Sequence, residues 1–295
     1  MNAQRQARAL ITGAHGQVGQ ELLATAPASW QVRACGSLEL DVTDPEAVRA
    51  VLQRERPALV IQAAAYTDVD RAEREREQAQ RVNVAGAHNV AAEVARLGAR
   101  MIHLSTDFVF DGRQDRPYLP DDPPNPISVY GQTKLAGERE VIRATQGDAL
   151  IVRTAWVYSA HGRNFVRTML RLMEEQGRVT VVADQTGTPT WGRPLAEALW
   201  RAADRPAIRG VVHWTDAGSA SWYEFAVAIQ QEARALGLLK KAVTVEPIRS
   251  DEFNAVARRP AYSVLDKTSG WQALGGPARP WRENLKAMLQ GLASA

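Results

Sequence analysis

The sequence predicts an α/β fold: a doubly wound parallel sheet with a smaller C-terminal lobe. Three observations carry this. Strand-length apolar runs alternate with helical patterns through the first half of the chain, with no hairpin signal between them, as in a parallel sheet covered by helices on both faces. The first strand-to-helix turn carries three glycines, in Thr12-Gly13-Ala14-His15-Gly16-Gln17-Val18-Gly19. The 295 residues, 45 % hydrophobic and 23 % charged, are enough for a large core and about two domains. That composition excludes disordered and collagen-like classes.

The elements follow in order. Ala7 to Thr12 reads as a strand, and Val18 to Ala26 as a helix with Leu22 and Leu23 facing inward. Gln31 to Cys35 is a second strand. Asp44-Pro45 opens a helix with an acidic cap and a proline in the first turn, and that helix stops near Arg56-Pro57. Ala58 to Ala64 is a third strand. Asp70 to Gln80, where acids and arginines interleave, reads as a solvated helix or turn held by local pairs. From Val84 the apolar positions recur at helical spacing and close at Leu97-Gly98. Met101 to Leu104 is a strand, and Arg116 to Pro126, with five prolines, is a loop ahead of a helix beginning near Val129. Leu150 to Val157 is the next strand. Beyond it, Asn164 to Gln176 and Ala196 to Ala203 are helical, and Val179 to Val182 and Val211 to Trp214 are strand-like. Ser221-Trp222-Tyr223-Glu224 is a capping box opening a helix to about Ala235. The expected division is residues 1–155 for a dinucleotide and 156–295 mainly for substrate, with some later segments returning to the first sheet.

Lys plus Arg exceeds Asp plus Glu by 36 to 33, so no dense positive stripe calls for nucleic acid. Cys35 is the one cysteine, which precludes an intrachain disulfide or a cysteine-based zinc cluster. Met1 to Arg8 lacks an apolar h-region, and no stretch approaches the ~20 apolar residues that span a bilayer. The expectation is a cytoplasmic protein without a membrane partner.

Chemistry gathers in three places. Gly13, Gly16 and Gly19, between strand and helix, let backbone approach a pyrophosphate and aim helix N-terminal amides at it. This makes a Rossmann-type site for a nicotinamide dinucleotide. No acid stands at the end of the second strand, where Cys35-Gly36-Ser37 is found, so NADPH is permitted alongside NADH. Tyr130 and Lys134 lie four residues apart on one helix face. A phenol can protonate a carbonyl oxygen that gains a hydride at its carbon, and a neighbouring ammonium favours the phenolate. Ser105-Thr106-Asp107 follows a strand at its carboxyl end, where ligands of open α/β sheets collect. There the Thr106 hydroxyl can hold the reacting oxygen beside the phenol.

Further blocks extend the pattern: Ala63-Ala64-Ala65-Tyr66-Thr67 with Val69-Asp70 and Ala72-Glu73, Val82-Asn83, and Ser105-Thr106-Asp107-Phe108-Val109-Phe110. They continue with Tyr130-Gly131-x-Thr133-Lys134-x-x-Gly137-Glu138, Arg153-Thr154-x-Trp156-Val157-Tyr158, Asn164-Phe165, Asp184-Gln185-x-Gly187-x-Pro189-Thr190 and Arg258-Arg259-Pro260. With these blocks the sequence resembles, over nearly its whole length, the dTDP-4-dehydrorhamnose reductases of the extended short-chain dehydrogenase/reductase superfamily. The resemblance implies reduction of the C4 ketone of dTDP-4-dehydro-β-L-rhamnose to dTDP-β-L-rhamnose with NADPH or NADH. It makes Thr106, Tyr130 and Lys134 catalytic, and assigns cofactor contacts to Gly16, Gln17, Val18, Asp41, Val42, Ala65, Tyr66 and Thr67 as well as to Tyr130 and Lys134. Thr106, Asp107 and Trp156 would touch the sugar, and Asn164 and Arg258 the nucleotide or diphosphate. Glu21 matches a position where some relatives hold magnesium at a dimer interface; one carboxylate makes no site, so the metal stays open. Monomer and homodimer are both allowed. Gln62, where the family has asparagine, and Trp191-Gly192 depart from the pattern.

Two rival readings remain. An epimerase or dehydratase of the same superfamily is one, although dehydratases follow the strand-end threonine with Asp-Glu and here Phe108 follows Asp107. A non-catalytic regulatory subunit is the other, for which an intact Thr106, Tyr130 and Lys134 would have no chemical use.

Overall fold

The computed structural model describes residues 7–241 and 243–294, so the reading of Met1 to Arg8 falls, but for its last two residues, outside the described residues. Six strands form the main sheet: β1 (Ala7–Thr12), β2 (Trp30–Cys35), β3 (Leu59–Gln62), β4 (Arg100–Thr106), β5 (Ala149–Thr154) and, much later, β6 (Gly210–His213). Their order is β6-β5-β4-β3-β1-β2, and every pairing is parallel. The chain steps outward from β1 to β2, then returns to β3 on the other side of β1. That reversal opens a crevice at the carboxyl ends of β1 and β3, the usual ligand site of such sheets.

The period of two along each strand sends alternate side chains to opposite faces. Ala9 and Ile11 of β1 pack with Ile61, Ile102 and Val152 against Leu22 of α1 (Gln17–Ala24). Leu10 and Val60 pack against Leu52 of α2 (Pro45–Glu55) and Val90 of α3 (Gly86–Leu97), and against Val141 of α4 (Val129–Ala144). A second core gathers α5 (Phe165–Gln176) with two later helices. Before those, α6 (Gly192–Ala203) returns to the first sheet, where Leu195, Leu199 and Trp200 share the core of Ile11. The second core's other helices are α7 (Trp222–Ala235) and α8 (Trp281–Ala293). They cover a parallel pair of strands, Arg178–Val182 and Thr244–Ile248.

Local chemistry explains most boundaries. Asp44 accepts from the amides of Glu46 and Ala47 with Pro45 in the first turn, and Gly98 ends α3 at φ 64°. Ser221 and Glu224 form a reciprocal capping box. Several expectations are corrected. Leu23 is 43 % exposed whereas Leu22 is fully buried, because neighbours on a helix stand 100° apart and one stripe alone faces the sheet. The fifth strand ends at Thr154 and not at Val157, since Trp156 takes a φ of 46° and turns the chain. A bulky residue there is strained by roughly 1–3 kcal/mol. The charged run Asp70 to Gln80 is not one solvated element. It forms two short helices, Val69–Ala72 and Arg76–Gln80, whose Ala72 and Ala79 are fully buried. Thr244–Ile248, with Pro247 inside it, gave no strand signal and forms an edge strand.

Two features fix α4 on the sheet. Gly137 lies so close to the turn before α3 that a Cβ there would meet the Asn83 carbonyl oxygen at 2.2 Å. Deeper in, Arg153 of β5 donates to both carboxylate oxygens of Glu138, at 2.7 and 2.9 Å, and to the Pro120 carbonyl at 3.1 Å. Ser105 of β4 donates to the same carboxylate. The two ion-pair side chains are 2 % and 4 % exposed.

Replacing Arg153 by Met strands the Glu138 charge in the core, and urea unfolding is expected to show a loss of about 3–5 kcal/mol. Gly137→Ala must push α4 off the Asn83 turn, at an expected cost of about 1–3 kcal/mol. Wild-type denaturation midpoints for either variant would contradict this account of how α4 is held.

Candidate active site

The crevice begins at the turn after β1. Gly13 has a φ of 70°, and a Cβ on it would meet the Ala64 backbone at 2.6 Å. A Cβ on Gly19 would meet the Gly13 carbonyl oxygen at 2.3 Å. Both glycines are therefore demanded by close approach of backbone to backbone. Gly16 caps α1 without a side-chain bond, and the first intrahelical acceptor serves Gln20, leaving the Gln17, Val18 and Gly19 amides at the open end of the helix. The Gln17 side-chain oxygen is buried with no hydrogen-bond partner among the described residues. A bare helix N-terminus with no intruding Cβ fits a dinucleotide's phosphates, and the Gln17 oxygen, an acceptor, is free for one of its hydroxyl groups.

Around this turn stand the other cofactor candidates. Ala65, Tyr66 and Thr67 follow β3, where Thr12 Oγ1 accepts from the Ala64 amide at 3.3 Å. The Tyr66 hydroxyl donates to Glu75 at 2.8 Å. Val42 is buried with its side chain against Gly86, whereas Asp41 spends one carboxylate oxygen on the Thr43 amide and hydroxyl. At the end of β2, Glu39 accepts from the Gly36 amide at 2.9 Å, and the His15 ring lies against Gly36.

The proposed catalytic groups meet where β4 ends and α4 begins. A Cβ on Gly131 would meet the Phe108 carbonyl oxygen at 2.2 Å, so the absence of one lets the first turn of α4 touch the turn after β4. Ser128 caps that helix by accepting from the Gly131 amide at 3.2 Å. The half-buried Tyr130 thereby comes beside Thr106, with Phe108 edge-on to its ring at 5.6 Å. Burial pushes the phenol up to about 12; the Thr106 hydrogen bond opposes this and the Asp107 charge adds to it. One turn along, the buried Lys134 donates to the Leu104 carbonyl at 2.7 Å. Its ammonium is brought down to about 8 by burial, against which the Glu138 carboxylate acts.

Asp107 is buried, accepts from Thr106 Oγ1 at 3.0 Å, and leaves its second oxygen without a partner among the described residues. Burial raises it to about 6 despite hydrogen bonds from Ser263 and Thr106. Trp156 stacks on Trp222, with ring centroids 3.5 Å apart and planes within 5°. Asn164 is committed elsewhere: it caps α5 through the Arg167 amide and donates to the Ser159 and His161 carbonyls. Arg258 is exposed. Glu21 is buried and receives Arg193 Nε at 3.1 Å. No trio of acidic, histidine or cysteine ligands exists among the described residues, so the groups present do not fit a magnesium ion within one chain.

Sequence reasoning quoted Asn83 without giving it work. Its side chain accepts from the Tyr66 amide at 2.8 Å and donates to the Tyr66 carbonyl and to Thr133 Oγ1, both at 3.1 Å. It thus ties the cofactor side of the crevice to α4. A π-turn over Arg81–Ala85, which no sequence pattern announces, carries it.

Comparison with known proteins agrees with this geometry. The family model for the RmlD substrate binding domain matches residues 7–294. The chain is 41 % identical over 283 residues to the dTDP-4-dehydrorhamnose reductase of Burkholderia thailandensis, a match covering 92 % of this chain and 95 % of that one. It is 42 % identical over 292 residues to the probable dTDP-4,6-dihydroxy-2-methyloxan-3-one 4-ketoreductase of Streptomyces antibioticus, covering 98 % and 96 %. The crystal structure of dTDP-4-dehydrorhamnose reductase from Bacillus anthracis in complex with NADP superposes with a TM-score of 0.90 at 37 % identity, covering 96 % of this chain and 98 % of that one. On a family match spanning residues 7–294 and identities near 40 % over nearly the full length of its relatives, the chain belongs to the dTDP-4-dehydrorhamnose reductase family.

Proposed function

We propose that this protein reduces the C4 ketone of dTDP-4-dehydro-β-L-rhamnose to dTDP-β-L-rhamnose, with NADPH or NADH as reductant. The observation that carries the reading is the meeting of the Thr106 and Tyr130 hydroxyls at the end of β4, with Lys134 one turn behind. The names of the full-length relatives support it. Residues 1–155 would hold the dinucleotide at the glycine turn, and residues 156–295 mainly the sugar nucleotide.

A reduced nicotinamide bound in the crevice supplies a hydride to the ketone carbon. Tyr130 supplies the proton: a phenol pushed up to about 12 keeps it at neutral pH until the substrate oxygen becomes basic enough to take it. Thr106 holds that oxygen beside the phenol. Sequence reasoning expects Lys134 to lower the phenol's pKa. In the resting arrangement the phenol is set by burial, Thr106 and Asp107, so the ammonium is assigned to the moment when the proton has left and the phenolate needs a neighbouring positive charge. Asp107, with an unpartnered oxygen, is the acceptor for a sugar hydroxyl, and Trp156 the apolar wall. Asn164 would act by shaping the 159–164 turn. Elimination chemistry lacks a carboxylate after Asp107, where Phe108 stands.

Tyr130→Phe is expected to fold and bind NADPH within about twofold of wild type while kcat falls at least about a hundredfold. Unchanged turnover would reject the proton-donor role. The pH profile of kcat/KM follows from the signs. Asp107 must be ionised, so activity declines below about 6; Lys134 must be charged, so activity declines above about 8. A flat profile between pH 5 and 9 would contradict these assignments. A panel of dTDP-4-keto sugars, including the type named for the Streptomyces antibioticus relative, assayed with NADH and NADPH tests the substrate. Stoichiometric cofactor oxidation with a single configuration at C4 is expected; turnover without net oxidation would indicate an epimerase.

A further inference from the structure

The segment 250–263 crosses from the second lobe to the catalytic turn, and carboxylates fasten it at two places. Asp184 accepts from the amide and hydroxyl of Ser250. Asp70, in the short helix after the cofactor loop, accepts from the Val256 amide at 3.1 Å and the Ala257 amide at 2.9 Å. It also accepts from Arg259 Nη1 at 3.2 Å and Nη2 at 2.5 Å. Further along, the Ser263 amide donates to the Thr186 carbonyl at 2.8 Å. The Pro260–Ala261 backbone meanwhile lies against Gly112, where a Cβ would approach within 2.7 Å. Between these fastenings the large side chains of Phe253 and Val256 stay 49 % and 48 % exposed.

Within the strap Arg258 differs from its neighbours. The residues at 256, 257 and 259 are all bound to Asp70, whereas the exposed Arg258 has neither hydrogen bond nor ion pair among the described residues. An ordinary exposed ion pair would organise little. Asp70 is different, because one carboxylate collects four donors: the amides of Val256 and Ala257 just before Arg258 and the guanidinium of Arg259 just after it.

Building on the reading above, we propose that Asp70 is a positioning residue for the sugar-nucleotide site: it fastens the 250–263 strap so that Arg258 is presented, unpaired, to the diphosphate of the substrate. A guanidinium suits paired phosphate oxygens, and a strap already fastened removes the cost of ordering it on binding. Asp70 touches neither the reacting carbonyl nor the phenol, so its loss should weaken capture of the nucleotide and leave the chemical step intact.

The test uses the full-length protein, with dTDP and NADPH titrated separately and steady-state kinetics on the sugar nucleotide. Asp70→Ala is expected to raise Kd for dTDP and KM for the sugar nucleotide about tenfold, with kcat and Kd for NADPH within about twofold of wild type. Combined with Arg258→Ala, it should add nothing to the loss that Arg258→Ala causes alone. A folded Asp70→Ala protein with wild-type dTDP affinity, or a loss that adds in full to that of Arg258→Ala, would overturn the proposal. Should Asp70→Ala fail to fold, Asp70→Asn keeps the shape and removes the charge; a weakened dTDP affinity is again expected, and an unchanged one overturns the idea. Wild-type protein that binds no dTDP would instead bring down the substrate assignment itself, and this inference with it.

Discussion

The site depends on how closely α4 can lie against the turns at the carboxyl edge of the sheet. Gly131 admits the Phe108 carbonyl and Gly137 admits the Asn83 carbonyl, each at a distance that any side chain would forbid. Between and beyond these contacts, Tyr130, Lys134 and Glu138 follow at intervals of four residues, one helical face running from the crevice to the core. The phenol sits at the open end, the ammonium one turn deeper, and the carboxylate below, where Arg153 and Ser105 bind it. Moving the helix outward by the width of a methyl group would separate all three from their partners at once.

That stripe also sets the electrostatics. Lys134 is buried at a cost that burial alone would resolve by deprotonation, and the Glu138 carboxylate is the group that resists this. Glu138 in turn is held in the interior by donors from Arg153 and Ser105. The chemistry at the mouth of the crevice is therefore supported by charges that never meet a ligand, arranged so that each compensates the one above it.

Much of this was legible in the sequence where a residue's role is local. Asp44, Gly98 and Ser221 announce helix ends because capping is settled by a few neighbouring atoms. The glycine turn, Thr106 and the Tyr130–Lys134 pair were legible because they follow strands or share a helix. What escaped was decided by contacts distant in sequence. Asp70 looked like part of a solvated charge run and binds residues more than 180 positions away. Asn83 is aimed by a π-turn, and the left-handed turn at Trp156, whose ring stacks on Trp222, has no local signal.

The main sheet is finished by a strand from far down the chain. β6 begins at Gly210, after the polypeptide has already built part of the second core, and it alone pairs with the outer side of β5. A ribosome therefore exposes a nearly complete sheet whose last rim of amides and carbonyls stays open until some sixty further residues have been made. Cutting the chain between β5 and β6 therefore takes from the first sheet the strand that pairs with β5, a strand supplied by the stretch of chain that also builds the second core.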